Sequence, residues 1–497
     1  MARGLLLSEA GMRRNGACGR RPPQSTRRGG TQRRDSRSTA SADVTQGGSV
    51  VQELKIAVTV RQMALAGMLG LCGAWAATGA AQTEGTSKAS RAEFLSPVGT
   101  KLDQAGIHPE INLVQFWLGN PSLGERVHEQ EALTLIAVGA DLNLHKIARI
   151  PGATVHFEEL FVPATADLEY GGYVADEIGG QPPPYIPEVY HLTWFTWDQT
   201  LVENRLRFEI GKANPGRYFA KTVCNQEFTC QSPLLQYEGG AGVNPAPYAN
   251  WLGRVVVNVT PSLQLQAAEW RSTAAFPWTN GWEWNKTATD SNIYAFDASY
   301  RTPNPMDPRA KNYELLFTHN TATQVDPYTH ATEHGVSGLY MGGKQAFWVG
   351  GARKAPVPQS LSAFASTNIA FSEHNTTGLT ATANWGVLAN GPFAKRPFDS
   401  YSLKMTWMRE TPNEQLYLKA QNVAAGGDGK IAGRDSIGIG PDANFILSKS
   451  VILSPYMVHT FHANTMMAPT YGGKMQDGWT GGVLFVFLLD KMTGMAR

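Results

Sequence analysis

Beyond residue 81 the chain has no run of about 18 or more apolar residues, which excludes helices that cross a membrane singly. Charge is scarce: 17% of the 497 residues are Asp, Glu, Lys or Arg, while Gly numbers 51 and Trp 13. Low charge with many turn formers and large aromatics excludes a disordered chain and fits a β-rich one. Cysteine is rarer still, and of four only Cys224 and Cys230 lie beyond residue 81. At C-x5-C spacing in an oxidising compartment they would close a small loop. A metal site is the weaker reading, because no His or further Cys lies close by in sequence. Catalytic strings are missing too. There is no G-x-S-x-G, no H-E-x-x-H and no Walker A sequence, and His191, His319 and His330 accompany no recognisable nucleophile. The residues therefore point to no enzyme, cofactor or metal.

The first 81 residues stand apart. Residues 1–50 carry ten Arg against Glu9, Asp35 and Asp43, with little apolar periodicity. Lys55 and Arg61 then precede the apolar run Ala64–Ala77 and the small residues Gly79, Ala80 and Ala81. A basic n-region, a short h-region and small residues at the cleavage point make a secretory signal, with cleavage expected after Ala81. The arginine-rich stretch reads either as a long n-region or as a mis-assigned start, the true one lying nearer Val51–Arg61. Of 43 Lys+Arg and 41 Asp+Glu, twelve and four fall within residues 1–81, leaving 31 against 37 and a mature net charge of −6. The sequence pI of 8.2 thus belongs to the leader and implies no nucleic-acid partner.

After the leader, alternation of period two recurs. In Arg205–Gly211, Leu206, Phe208 and Ile210 share one face, and Arg205, Arg207 and Glu209 the other. Val155, Phe157 and Phe161 oppose Thr154, His156 and Glu158; Val255, Val257 and Val259 oppose Arg254 and Asn258. Leu379, Ala381, Ala383, Trp385 and Val387 oppose Thr380, Thr382 and Asn384; Tyr401, Leu403, Met405 and Trp407 oppose Ser402, Lys404 and Thr406. Gln415–Gln421 reads the same way, with Leu416, Leu418 and Ala420 against Tyr417 and Lys419. One such strand could belong to a soluble sheet. Many with charged inner faces predict an all-β, transmembrane antiparallel β-barrel of about 16 strands over residues 107–489. Glu410–Glu414 reads as a tight periplasmic turn. Gly171–Pro187, Lys212–Tyr248, Trp270–Ser291 and Asn422–Gly440 read as long external loops. Trp117, Trp194, Trp197, Trp251, Tyr401, Trp407, Tyr456 and Trp479 sit near strand ends, as interfacial girdles require. Residues 82–106 form an N-terminal periplasmic segment in which Pro97–Ile107 reads as a short helix ending at Gly106, and residues 490–497 a C-terminal tail.

Particular strings narrow the class. Asp141–Ile147 (DLNLHKI) followed by Pro151–Phe157 (PGATVHF) resembles the second and third strands of the carbohydrate-selective porins, the OprB-type outer-membrane porins. Glu203–Ala220 (ENRLRFEIGKANPGRYFA) is similar to a further stretch of that family. Gly335–Ala370, Gly378–Pro392 and Val451–Ala468 match its late strands more loosely, so the likeness spans about residues 95–489. Two departures stand out: Phe94–Val98 replaces the family's Trp-Gly-Gly opening, and the chain runs past Phe487 to Asp490–Arg497.

The resemblance implies passive, sugar-preferring diffusion across the bacterial outer membrane, through a lumen narrowed by inward loops. Expected partners are outer-membrane lipid, small neutral sugars and the assembly machinery; a homo-oligomer is left open, because flat apolar outer faces suit plain lipid contact as well as a second copy. Arg or Lys beside Asp or Glu offers hydroxyl donors and acceptors, and an aromatic face stacks on a sugar ring, provided binding stays weak enough for release. The expected pore-lining residues are His156, Glu158, Arg205, Arg207, Glu209, Arg254, Lys404 and Lys419, with Lys212 and Arg217 at the mouth. For each the plainer role is a wall residue held in an ion-pair lattice. A general or organic-acid porin and a soluble secreted sugar-binding β-protein are the alternatives.

Overall fold

A computed structural model describes residues 94–496 apart from 165–168, 181–189, 222, 227–228, 231–248, 273–279, 285–290, 305–306, 308 and 351–357. The export signal and its cleavage point lie outside the described residues. The first half of the sheet is β1 (Ile107–Gly119), β2 (Gln130–Asn143), β3 (Ala153–Ala164), β4 (Tyr190–Leu201), β5 (Leu206–Ala213), β6 (Asn250–Asn258), β7 (Leu263–Ser272) and β8 (Ser291–Arg301). The second half is β9 (Lys311–Val325), β10 (Thr332–Val349), β11 (Ser360–Ala370), β12 (Leu379–Asn390), β13 (Ser400–Glu410), β14 (Asp435–Ser448), β15 (Val451–Phe461) and β16 (Gly478–Leu488). Each strand is antiparallel to its sequence neighbours, and β16 returns to pair with β1 from Asn112↔Leu488 to Gly119↔Gly481. The fold is the closed 16-strand barrel that the alternation predicts.

Its burial is inverted relative to a soluble protein. On β9, Tyr313, Leu315 and Phe317 are exposed while Glu314, Thr318 and Asn320 are buried. On β5, Phe208 and Ile210 are 41% and 64% exposed and Glu209 between them is buried. Hydrocarbon outside and polar groups inside is the arrangement lipid demands. Closure follows from the same solvent, since an open edge would leave backbone groups unsatisfied at several kcal/mol each, in order of magnitude.

The longest connections, 165–189, 214–249, 273–290 and 411–434, all leave one end of the barrel, here termed the loop end. Both termini of the sheet lie at the other, the turn end. There, helix α1 (Ser96–Ala105), closed by Gly106 at φ 84°, meets the C-terminus: Leu95 N donates to Thr493 O (2.9 Å), and a Cβ on Gly99 would strike the Met495 carbonyl. Two short helices, α2 (Leu144–Ala148) and α3 (Glu169–Val174), follow β2 and β3. The residues expected as a tail begin inside a final short helix (Leu489–Thr493), which packs on β1 and β16.

Two expected elements differ. Gln415–Gln421 is not a strand and Glu410–Glu414 is not a tight turn: together they enter helix α4 (Pro412–Ala424). Thr411 caps it by accepting from Glu414 N (3.1 Å), with Pro412 next. Seven alternating residues fit either period, but Glu414, Leu418 and Asn422 are buried at spacing four while Leu416 is exposed. Arg205, for its part, is not on a strand. It closes the β4–β5 turn, whose Val202, Glu203 and Asn204 all take positive φ.

At the loop end one carboxylate ties three connections. Asp326, before β10, accepts from Thr329 N (2.7 Å), from Asn413 Nδ2 on α4 (2.6 Å) and from His374 Nδ1 after β11 (3.0 Å). Burial opposes ionisation of Asp326, but these hydrogen bonds outweigh it and hold the carboxyl below its usual range. The same carboxylate raises His374 above its ordinary value of 6.5. The imidazolium contribution is therefore complete below 6.5 and lost as pH rises through the raised value. The carboxylate contribution is complete above 3.8 and lost as pH falls through the depressed value.

Amide-exchange protection at Tyr328 and Thr329 should therefore peak between these limits and decline on the alkaline side, and His374→Ala should abolish that alkaline decline. An unchanged profile in the variant would exclude the ring from the tie. Phe208→Arg should cost about 2–4 kcal/mol if the site lies near the bilayer midplane, and less nearer an interface. Unfolding in lipid vesicles measures this, and wild-type stability would reverse the assignment of faces.

Candidate functional site

The β5–β6 connection turns into the barrel. Asn214 accepts from Gly216 N (2.9 Å) and opens a 3-10 turn over Pro215–Arg217. Tyr218, Phe219 and Ala220 then settle on an inner wall that is locally apolar: Ala213, Leu252, Trp270, Ile293, Ala295, Leu316 and Tyr340, contributed by β5 to β10. Phe219 meets Trp270 edge-on at 5.1 Å. Those wall side chains would otherwise face lumen water, and covering each large one contributes about 1.5–3 kcal/mol. The segment continues around the wall. Lys221 N donates to Glu314 Oε2 on β9 (2.9 Å), and Tyr340 Oη on β10 donates to Lys221 O (3.1 Å). Val223 and the bonded Cys224–Cys230 pair pack on Phe364 of β11 and Leu388 of β12. Asn225 and Gln226 reach β13, β14 and β15. The result is an inner belt from β5 to β15.

At its root lies a desolvated ion pair. Arg254 pairs with Glu209 and stacks on the Tyr218 ring at 3.9 Å, and the Tyr218 hydroxyl also donates to Glu209. Thr196 Oγ1 (2.8 Å) and Trp194 Nε1 (3.3 Å) donate to the same carboxylate, and Arg254 donates to Gln266 Oε1 (3.0 Å). With side chains 3% and 1% exposed, Arg254 and Glu209 hold the belt and have little surface left for solute.

Arg217 and Glu158 differ. They pair at 2.5 Å but remain 29% and 17% exposed. Thr193 Oγ1 also donates to Glu158 (2.6 Å). Arg217 lies over Trp194 at 4.1 Å, and His156 stacks on that same indole at 4.1 Å while its Nδ1 meets Asp141 (2.6 Å). Glu110 is within electrostatic reach of Asp141, Glu158 and Arg217. Arg207, lower on this wall, pairs with Asp198 at 3.2 Å. The β1–β5 wall and Arg217 of the belt thus bring together His156 with Asp141, Glu158 with Arg217 and Arg207 with Asp198 as partly exposed polar pairs.

Four expected pore residues lie apart from this cluster. Arg205 is exposed in its turn. Lys419 is exposed on α4, because the helix replaces the expected strand. Lys404 faces inward as expected but is buried on β13 beside Asp442, away from the other charges. Lys212 faces outward with Phe195 and Trp251; residues 280–284 fold over it, supplying the Gly281 carbonyl (2.5 Å) and the Trp284 ring (5.2 Å). Parity alone forecasts this, since Lys212 sits one step out of phase with Glu209. Trp194 and Tyr456, expected in girdles, face inward. The belt residues Tyr218, Asn225 and Gln226 were not foreseen. For Tyr218 the signal is the wall that receives it: on β7, Gln264 and Gln266 share an inward face with Trp270 while Glu269 faces out.

A lipid-exposed closed barrel, polar within and narrowed by an inward belt, is an outer-membrane channel of the porin class. The chain belongs to the carbohydrate-selective porin, OprB family, whose family model matches residues 132–439, more than half of the sequence. It is accordingly a channel of the bacterial outer membrane for passive, carbohydrate-selective diffusion. The high-pH structure of Pseudomonas putida OprB is similar at TM-score 0.67 and 16% identity, covering 78% of this chain and 95% of that one. The low-pH structure of the same protein gives TM-score 0.50 and 14% identity, covering 82% and 99%. No curated protein sequence matches the chain.

Arg254→Met should cost about 3–5 kcal/mol, because it strands a buried carboxylate. Adding Glu209→Gln should recover much of that loss. Unfolding of both variants measures it, and a neutral single substitution would refute the belt-root role.

Proposed function

We propose that small neutral sugars pass through the lumen beside the belt, along the β1–β5 wall, and that the Arg217–Glu158 pair is the principal contact. One observation carries this reading. Of the two ion pairs flanking Trp194, the Arg254–Glu209 pair is sealed while the Arg217–Glu158 pair stays partly hydrated. A guanidinium has five donors and a carboxylate about four acceptor sites, so pairing leaves both able to bond sugar hydroxyls. His156 with Asp141, Arg207 with Asp198, and Glu110 extend the polar track. The indole face of Trp194 carries Arg217 and His156, so its role is to orient them. Direct bonds that exchange with water keep occupancy brief, as passage requires.

In this reading the apolar outer wall takes outer-membrane lipid and, in a homo-oligomer, a second copy. Residues 1–81 direct export, α1 lies at the periplasmic end, and assembly machinery inserts the barrel. Transport by diffusion calls for no chemical step.

Liposome swelling tests the site. Glucose should permeate faster than neutral non-sugars of matched size, and Arg217→Ala should reduce that preference several-fold while heat-resistant folding persists. An unchanged preference in the folded variant would remove Arg217 from the selective contact.

A further inference from the structure

The belt is fastened at its far end as well as its root, and the fastening uses side chains that the sugar track does not. Asn225 Nδ2 donates to Asp442 Oδ1 (2.7 Å), and Ser400 Oγ donates to Asn225 Oδ1 (2.6 Å). Asn444 Nδ2 donates to the Asn225 carbonyl (2.9 Å) and its Oδ1 (3.1 Å). Gln226 Nε2 donates to Ala443 O (2.7 Å) and Pro455 O (3.1 Å). The wall partners are themselves braced: Ser402 Oγ donates to Asp442 Oδ2 (2.7 Å) and Ser454 Oγ to Asn444 Oδ1 (2.6 Å). Immediately beside this cluster the Cys224–Cys230 bond closes the tip of the belt, buried against Phe364 and Leu388. A long connection between β5 and β6 would sample many conformations if held only at its root. Hydrogen bonds in a part-buried, mutually braced network hold the tip to one position.

We propose that Asn225 and Gln226, shaped by the Cys224–Cys230 closure, are positioning residues that set the width of the passage by latching the belt to β13–β15. They touch no solute. They act by keeping the belt on its wall, so that the passage beside the Arg217–Glu158 contact at the near end keeps a fixed width. The inference rests on the belt being the constriction, as in the function proposed above. Width and sugar preference are separate quantities, however, and separate measurements read them.

The test exchanges one hydrogen-bond polarity. Asn225→Asp sets two carboxylates against each other, while Asn225→Asp with Asp442→Asn restores a donor facing an acceptor. Planar-bilayer conductance is measured with neutral polyethylene glycols of graded size, which report pore width without reference to sugars. The single variant should raise conductance and the polymer exclusion size, roughly two-fold in conductance if the belt leaves the lumen, and the double variant should return both to wild type. Heat-modifiable folding should be unchanged in both. Wild-type width in Asn225→Asp, or failure of the exchanged pair to restore it, would overturn the latch. If Asn225→Asp does not fold, Cys224→Ser with Cys230→Ser decides: a wider pore supports the latch and an unchanged one overturns it. A widened pore upholds the latch whether or not glucose preference survives, whereas the selective contact stands or falls with Arg217→Ala, which leaves the latch residues untouched.

Discussion

Hydrocarbon cannot hydrogen-bond a peptide group, and the rest of this molecule follows from that. Sixteen strands must pair on both edges, so β16 meets β1 and no edge remains. Side chains then divide by parity, with Phe208 and Ile210 outward and Glu209 inward. A ring of this many strands encloses more space than its inward side chains fill. An open lumen would not discriminate among small solutes, so selectivity has to come from chain folded inside. The membrane's demand on the backbone thus creates the vacancy that the belt occupies.

The belt uses the rules of a soluble core inside a membrane protein. Trp270, Ile293 and Leu316 stand where a porin wall is ordinarily polar, and Tyr218, Phe219 and Ala220 cover them. The water-filled lumen supplies the hydrophobic driving force that lipid cannot. Glu209 and Arg254 add direction: desolvated charges tolerate few geometries, so the pair specifies where the belt root sits. On the outside the same logic covers Lys212, an ammonium at the rim that would otherwise face apolar surroundings. Gly281, Trp251 and Trp284 enclose it with a carbonyl and two rings.

Parity was legible in the sequence wherever a strand had enough residues to show it. The strands carrying His156, Arg254, Trp385 and Lys404 keep the faces that alternation gives them. Parity fails where the backbone leaves the pleat. Arg205 continues the Arg207–Glu209 pattern but sits in a turn of left-handed residues. Gln415–Gln421 alternates by coincidence of a short window, whereas Thr411, Pro412 and Glu414 carried a helix start that outranks it. The inward turn of Trp194 and Tyr456 was hidden for another reason: an interfacial aromatic and a lumen aromatic look alike when only proximity to a strand end is judged. The belt was least legible. Its path depends on contacts between residues more than 200 positions apart, such as Asn225 with Asp442, which no local pattern encodes.

Exposure, more than the presence of charge, separates the structural pair in this wall from the proposed sugar contact. Arg254 and Arg217 both pair with a glutamate and both lie on an aromatic ring; the first pair joins β6 to β5 beneath Tyr218 of the belt, and the second joins the belt itself to β3. The first is closed off by Tyr218, Thr196 and Gln266, so it presents almost no surface to a solute. The second keeps an exposed edge, where water already exchanges and a sugar hydroxyl can take water's place at little net change in bonding. Such near-equivalence between solvent and solute lets a wall favour sugars without retaining them. It also explains why mixed-sign pairs suit neutral cargo better than isolated charges do. A lone arginine would hold anions and attract counterions, whereas a neutralised pair presents donors and acceptors together with a short-ranged field.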